Sequence, residues 1–234
     1  MIDKNAKEPF MKQHTIAACL AAGSLLLAAG AAQAQVAGQA MVKVGFNRIS
    51  PKVQSGDLSP PALPNSQIDV GAANGVIITA AYMFTDNWSW EFIGGLPYKH
   101  DILGAGSVAG VGKLGSVHQI SPTALLQYRF MPAYAVFRPY VGLGLTYAVF
   151  YDTEGSAALT AITNPGGAAV TIGSDRSWGG SGEVGATWKL NEQWFLDASV
   201  IKTYISTKPT LSTGQTISAK LNPVSANISI GYRF

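Results

Sequence analysis

From about residue 39 to the C-terminus, apolar and polar residues alternate in stretches, the period-two pattern of strands with two unlike faces. Eight stretches carry it. The first, Gln39 to Ile49, sets Ala40, Val42, Val44 and Phe46 on one face. The second, Val70 to Phe84, does so with Val76, Ile78, Ala80, Tyr82 and Phe84, and the third, Trp88 to Gly95, with Trp88, Trp90 and Phe92. The fourth runs from His118 to Phe130, the fifth from Phe137 to Tyr151, the sixth from Asp175 to Trp188 and the seventh from Trp194 to Tyr204. The eighth is the end of the chain, "NPVSANISIGYRF", where Val224, Ala226, Ile228, Ile230, Tyr232 and Phe234 share one parity.

The connections alternate in length. Those after the second, fourth and sixth stretches are tight: "TDN" (85–87), "MPAYAV" (131–136) and "LNEQ" (190–193). The other four, near 50–69, 96–117, 152–174 and 205–221, are long and rich in Gly, Pro, Ser, Thr and Asn. A soluble sandwich has no reason to gather every long loop at one end. An up-and-down barrel in an outer membrane does, with short periplasmic turns, long external loops and both termini in the periplasm. The expected fold is therefore all-β: an eight-stranded antiparallel transmembrane barrel with up-and-down topology. Strands of this length satisfy the ~9–11 residues that a tilted membrane strand needs, and lipid leaves no backbone group unpaired without cost, so the sheet closes.

Sidedness follows from parity. The polar face includes Lys43, Asn47, Thr79, Glu91, Gln127, Arg129, Arg138, Glu183, Asp197 and Arg233. With lipid outside, these fill the lumen. The apolar face ends in an aromatic belt near the tight turns, among them Tyr82, Trp88, Tyr128, Phe137, Trp188, Trp194, Tyr232 and Phe234, as expected at a membrane interface.

Composition agrees. Charged residues are 12% of the 234, about half the usual share, and the shortfall is spread along the chain. The one long apolar run is "MKQHTIAACLAAGSLLLAAGAAQAQ" (11–35), with basic Lys12, an apolar stretch from Thr15 to Gly30 and the small-x-small triplet Ala32-Gln33-Ala34. It has the layout of a secretory signal peptide rather than of an anchor. Residues 1–34 are thus expected to be an N-terminal extension plus a cleavable signal, with Met11 as the start and cleavage after Ala34, and residues 35–234 the barrel. Cys19 lies at the beginning of the apolar run, the wrong place for lipidation, and it is the only cysteine. Removing Lys4, Lys7, Lys12, Asp3 and Glu8 with the leader leaves 13 basic and 11 acidic residues, too balanced for a nucleic-acid partner.

An eight-stranded barrel is narrow: side chains nearly fill it or leave room for one small ligand. Inward parity also gives the lumen some apolar residues, Ile77, Ile93, Leu125, Phe150 and Ile201. Strand direction places Ile93, Phe150 and Ile201 toward the long-loop end and Ile77 and Leu125 near the middle. The charges Lys43, Glu91, Arg129, Arg138, Glu183, Asp197 and Arg233 lie mostly lower. The expected picture is an apolar funnel above a polar plug in which Glu91 or Glu183 pairs with Arg129 or Arg138, since buried charges persist when paired. A small hydrophobic solute would enter the funnel, stop at the plug and leave sideways where Pro51, Pro97, Pro122 or Gly94-Gly95 weakens the ladder.

Six stretches carry a resemblance to a known family: "YMFTDNWSWE" (82–91), "PYKHDI" (97–102), "SPTALLQYRF" (121–130), "FRPYVGLGLTY" (137–147), "SWGGSGEVG" (177–185) and "GYRF" (231–234). On these the chain resembles the OmpW family of outer-membrane proteins over nearly all of its length beyond the leader. The stretch "ALTAITNPGGAAV" (158–170) in the third long loop departs from that family's pattern. The resemblance implies a Gram-negative outer-membrane location, contact with lipid and lipopolysaccharide, a hydrophobic channel with a lateral exit, and Tyr232 and Phe234 as the signal read by the barrel-assembly machinery. A monomer is expected, with no cofactor. The alternative reading is a structural or surface-recognition barrel acting through its four long external loops.

Other motifs carry less. "GVGKLG" (110–115) matches G-x-G-x-x-G but sits in a Gly-rich loop outside any βαβ context. His100, Asp101 and His118 make too loose a pattern for a metal site. A hydrolase triad of His118, Ser121 and Asp101 or Asp175 fails on parity, since His118 and Ser121 point to opposite faces. No enzymatic activity is expected.

Overall fold

The computed structural model describes residues 35–234; the expected signal peptide, Met11 start and Ala34 cleavage site lie outside them. Alternation becomes strand. In β1 (Ala40–Ser50) Lys43 and Asn47 are buried while Val44 and Phe46 are exposed, Phe46 to 70%. The other elements are β2 (Gln54–Ser55), β3 (Ser66–Val70), β4 (Ala73–Met83), β5 (Trp88–Gly95), β6 (Tyr98–Gly106), β7 (Lys113–Ile120), β8 (Thr123–Arg129), β9 (Phe137–Gly155), α1 (Ala157–Thr163), β10 (Asp175–Lys189), β11 (Trp194–Tyr204), β12 (Ser206–Thr207), β13 (Ala219–Lys220) and β14 (Val224–Arg233).

Eight of these close a barrel in the order β1-β4-β5-β8-β9-β10-β11-β14, every neighbour antiparallel and β14 returning to β1. Chain neighbours are sheet neighbours throughout, the up-and-down topology expected. The outside carries an apolar band in which Leu143 is 75% exposed and Ile78, Phe92, Val184 and Ile228 are exposed as well. In water such a band would drive aggregation; in lipid it is the solvent-matched surface. At the end with the tight turns the rings touch in pairs: Trp88–Tyr128, Trp194–Tyr232 and Tyr232–Phe234 at 5.0 Å and Phe137–Trp188 at 4.4 Å. The turns there are closed by their own side chains. Thr85 Oγ1 accepts from the Trp88 amide, and Asn191 Oδ1 from the Trp194 amide, the local bonding that favours Thr and Asn in turns.

The structure corrects the boundaries at the other end. The expected fourth strand, His118 to Phe130, is two strands broken at Ser121-Pro122. Proline supplies no N–H to a ladder, and Gly94 to Pro97 face it across the hairpin. The β5–β8 ladder accordingly stops at Ile93–Thr123, and pairing resumes in β6–β7 at Tyr98–Gln119. The second barrel strand begins at Ala73, because Val70 belongs to β3 and pairs with Ile102. The fifth runs on to Gly155, because β7 gives its upper half a partner.

The long connections are therefore a second tier of structure. β3, β6 and β7 continue the sheet beyond the rim on the edge of β9, and β12, β13 and β2 form a small separate sheet. The third long connection folds into α1, whose first turn is capped by Ser156: its Oγ accepts from the Leu159 amide at 3.1 Å. Capping of this kind stabilises a short helix that propensity alone would not hold. An apolar cluster with Val117, Phe150, Ile205 and Leu221 lies where the tiers meet, and another, with Leu114, Leu159, Val170 and Leu211, lies within the upper tier.

Candidate functional site

The lower half of the lumen is packed with charge. Lys43, Glu91, Arg129, Arg138, Glu183, Asp197 and Arg233 are all buried. Lys43 Nζ donates to Glu91 Oε2 at 2.8 Å and to Asp197 Oδ1 at 3.0 Å. The Tyr140 hydroxyl also donates to Asp197, at 3.1 and 3.2 Å, and the Arg129 guanidinium lies 4.7 Å from the Tyr140 ring centre. Gln127 joins the rest: its Oε1 accepts from Ser89 and from Arg129 Nη2, and its Nε2 donates to Glu183 at 2.7 Å.

These partners differ from the expected Glu–Arg pairs. Lysine, not arginine, bridges two carboxylates. The arginines go elsewhere: Arg129 to Gln127 and the Tyr140 face, Arg138 to the backbone carbonyls of Gln35, Asp86 and Met131. Arg138 lies at the turn end, where the chain leaves carbonyls unpaired and a planar five-donor group satisfies several of them together. The large rings fit because glycine faces them. A Cβ on Gly185 would come within 2.5 Å of the Tyr140 ring, and one on Gly231 within 2.2 Å of Phe195.

Above the plug three cavities stack. The lowest, about 50 Å³, lies inside the barrel and is lined by Ile77, Ile93 and Ile201 together with polar side chains such as Asn47 and Thr123. Much of its polar wall is internally paired: hydroxyls of Thr123, Thr146, Ser181 and Thr203 form a chain with steps of 2.8, 2.7 and 2.9 Å, and Asn47 Nδ2 donates to Asn227, while Asn47 Oδ1 is left without a partner. The middle cavity, about 60 Å³, is apolar and lies at the junction of barrel and upper tier; Ile68, Val70, Ile102, Phe150 and Ile172 line it. The outermost, about 50 Å³, is enclosed by Leu58, Leu114, Leu159, Leu211 and Ile217. Each shares walls with the next: Ile49, Gln119, Ile205 and Pro223 between the lower two, Ile68, Ile102, Ile172 and Pro209 between the upper two.

Of the five apolar lumen residues read from parity, Ile77, Ile93 and Ile201 thus meet in one cavity and Phe150 lines the next. Leu125 does not join them. It is fully buried beside Glu91 in the ladder and lines none of the three. Ile68, Ile102, Ile172, Ile205 and Leu221 were missed, because they come from segments whose composition reads as loop, and Val70 was read only as the start of the second strand. The alternation in "SQIDV" (66–70) is the sequence signal for Ile68 and Val70. Tyr140 was missed although the parity of Arg138 points it inward.

The histidines separate. Nδ1 of His100 lies 2.7 Å from the Gly71 carbonyl oxygen, whereas Nδ1 of His118 pairs with Asp152 at 3.1 Å, and Asp101 pairs with Lys113. Ser121 lines the barrel cavity, away from the His118–Asp152 pair. Of the residues expected to weaken the ladder, Gly94, Gly95, Pro97 and Pro122 all fall in the break between the β5–β8 and β6–β7 ladders, and Pro51 lies just past β1. Ile93, Tyr98 and Ser121, which flank the break, line the lowest cavity.

Comparison with known proteins gives a consistent picture. The model of the OmpW family matches residues 36–234. Outer membrane protein W of Vibrio cholerae is 34% identical over 202 residues, which cover 84% of this chain and 89% of that protein. The crystal structure of the outer membrane protein OprG from Pseudomonas aeruginosa superposes with a TM-score of 0.76 at 29% identity, covering 86% of this chain and 98% of the other. A further relative from Pseudomonas aeruginosa, 27% identical over 180 residues (76% of this chain, 79% of its own), is named dibenzothiophene metabolism operon protein PahQ.

Proposed function

Because the chain belongs to the OmpW family of outer-membrane proteins, we propose that it carries small hydrophobic molecules from the cell exterior into the outer membrane. In this reading the tier of long connections faces outward, and Gln35 and Phe234 lie on the periplasmic side. A solute leaves water for the outermost cavity, descends through the middle one into the barrel and stops at the plug. It goes no lower, because displacing the side chains around Lys43 would strand buried charge, which costs several kcal/mol. It leaves sideways through the break in the ladder beside Ile93. Tyr232 and Phe234 serve as the assembly signal of the last strand, and no catalytic group is required.

The observation that carries the proposal is the stack itself: walls shared from cavity to cavity, apolar in the upper two and mixed in the lowest, ending at a closed plug beside a gap in the strand pairing. The relative named for dibenzothiophene metabolism supports the solute class, since that compound is a fused apolar aromatic.

The test is uptake of a radiolabelled alkane or aromatic by cells with the protein, without it, and with Ile93→Arg or Ile201→Arg. Either arginine puts a charge in the lowest cavity and is expected to cut protein-dependent uptake at least several-fold. Uptake unaffected by both substitutions would rule the passage out. Uptake equal in all cells would shift the function to surface recognition by the upper tier.

A further inference from the structure

The middle cavity is largely apolar, and one of its lining residues, His100, holds an unspent polar atom packed in its wall. His100 is 1% exposed and lines the cavity, with Nδ1 on the Gly71 carbonyl oxygen and Nε2 without a hydrogen-bond partner. A carbonyl oxygen only accepts, so Nδ1 holds a proton. The neutral ring then has its lone pair on Nε2. Burial keeps the ring neutral by lowering its pKa, against the opposing effects of the Gly71 carbonyl and Asp101. Nε2 is therefore a fixed acceptor.

Gln119 stands at the floor, where this cavity meets the lowest one, and three other polar side chains of the lining are already bonded. The Asp175 carboxylate accepts from the Thr207 hydroxyl and from the amides of Lys208 and Arg176. The Thr153 hydroxyl donates to the Ile172 carbonyl. Among the described residues lining the cavity, His100 Nε2 is the fully buried side-chain polar atom left unpaired. An unpaired buried acceptor is costly, and a site with such an atom discriminates sharply between ligands that satisfy it and isosteres that do not.

Resting on the channel reading above, we propose that the middle cavity is a selection station for neutral apolar solutes bearing one hydrogen-bond donor, an alcohol or a phenol, whose O–H binds His100 Nε2. Alkanes and ethers of the same size pass without that bond. Carboxylates are rejected, because they bring an anion into an apolar space that already holds Asp175. The station is at the junction of the two tiers, so every solute that enters from the outermost cavity meets it before the barrel.

The test uses two isomers of equal size, 4-ethylphenol and 4-methylanisole, of which only the phenol donates. Binding is measured by equilibrium dialysis against the full-length barrel in phosphatidylcholine bilayer discs, with partition into empty discs subtracted. The wild type is expected to prefer the phenol about five- to tenfold. His100→Phe is expected to abolish the preference by weakening the phenol alone, and unchanged ether binding certifies its fold. Should that variant fail to fold, the ¹⁵N resonance of Nε2 in the wild type reads the same bond, shifting with phenol and not with ether.

Equal binding of the isomers, a preference that survives His100→Phe, or an Nε2 resonance indifferent to phenol overturns the proposal. Uptake in cells separates it from the channel reading. Protein-dependent uptake of both isomers without preference sinks the station and leaves the channel. Phenol bound at His100 with no protein-dependent uptake of either isomer keeps the station and sinks the channel.

Discussion

At the scale of single residues, the plug shows how a narrow barrel holds buried charge. One cation, Lys43, serves two carboxylates, and a tyrosine hydroxyl supplies the second donor to Asp197. The arrangement is stable only as a set. Lys43→Met keeps the volume but leaves Glu91 and Asp197 buried without their cation, and should destabilise the barrel by roughly 3–5 kcal/mol. Adding Glu91→Gln and Asp197→Asn should recover more than half of that loss, because the residues act as one network. Urea unfolding in lipid vesicles, followed by tryptophan fluorescence, measures both; a triple variant no more stable than Lys43→Met would show that the loss has another origin. Which residues face inward was legible from parity. Who bonds to whom was not, because pairing depends on height along neighbouring strands, and that depends on registers such as Lys43–Thr79 and Glu91–Ala81 that a list of alternating residues leaves free by steps of two.

At the scale of elements, the eight membrane strands were readable because lipid enforces alternation on every one. The upper tier was not. Its strands are two to nine residues long where they stand outside the barrel staves, they are rich in Gly, Ser and Thr, and their outer face meets water while their inner face packs on other loops. Pro122 ends one ladder and starts another, which alternation alone reads as a single strand. The β6–β7 hairpin carries its own pH dependence. Its outward face bears Lys99 and Asp101, paired with Glu154 and Lys113, and its inward face buries His100 beside the Tyr98 ring and the Gly71 carbonyl. Burial lowers the pKa of His100 in the folded hairpin, so the opened hairpin binds the proton more readily. The contribution of the neutral ring is therefore fully present above the unfolded value of ~6.5 and shrinks as pH falls below it toward the lower folded value. Amides of β3, β6 and β7 should exchange faster at pH 5 than at pH 7 after correction for intrinsic rates, and His100→Phe should remove that difference. Equal protection at both pH values in the wild type would show that the imidazole is not held neutral by the hairpin.

At the scale of the whole molecule, the proposed channel reading raises the question of which way a solute leaves. Two exits are conceivable, down through the plug or sideways through the ladder break, and they respond to opposite kinds of substitution. Tyr140→Ala removes the largest ring from the plug and opens the downward route. Gly94→Phe does the reverse at the side: Gly94 is exposed on the outer face at the break, and a Cβ there meets open space, so a bulky ring can stand across the gap without disturbing the packing inside. If the exit is lateral, Gly94→Phe lowers hydrophobic uptake several-fold, whereas Tyr140→Ala leaves it unchanged once expression is matched and folding is checked by heat-dependent gel mobility. If the exit is through the plug, Tyr140→Ala raises uptake and Gly94→Phe has no effect. The physical case favours the side. A hydrophobic solute that passes from the cavities into lipid keeps its apolar surface from water, worth about 25 cal/mol per Å², and forfeits this by crossing a core of ion pairs to reach aqueous periplasm. On the proposed channel reading, a closed polar plug beneath the cavities would direct the flow outward through the wall of the barrel.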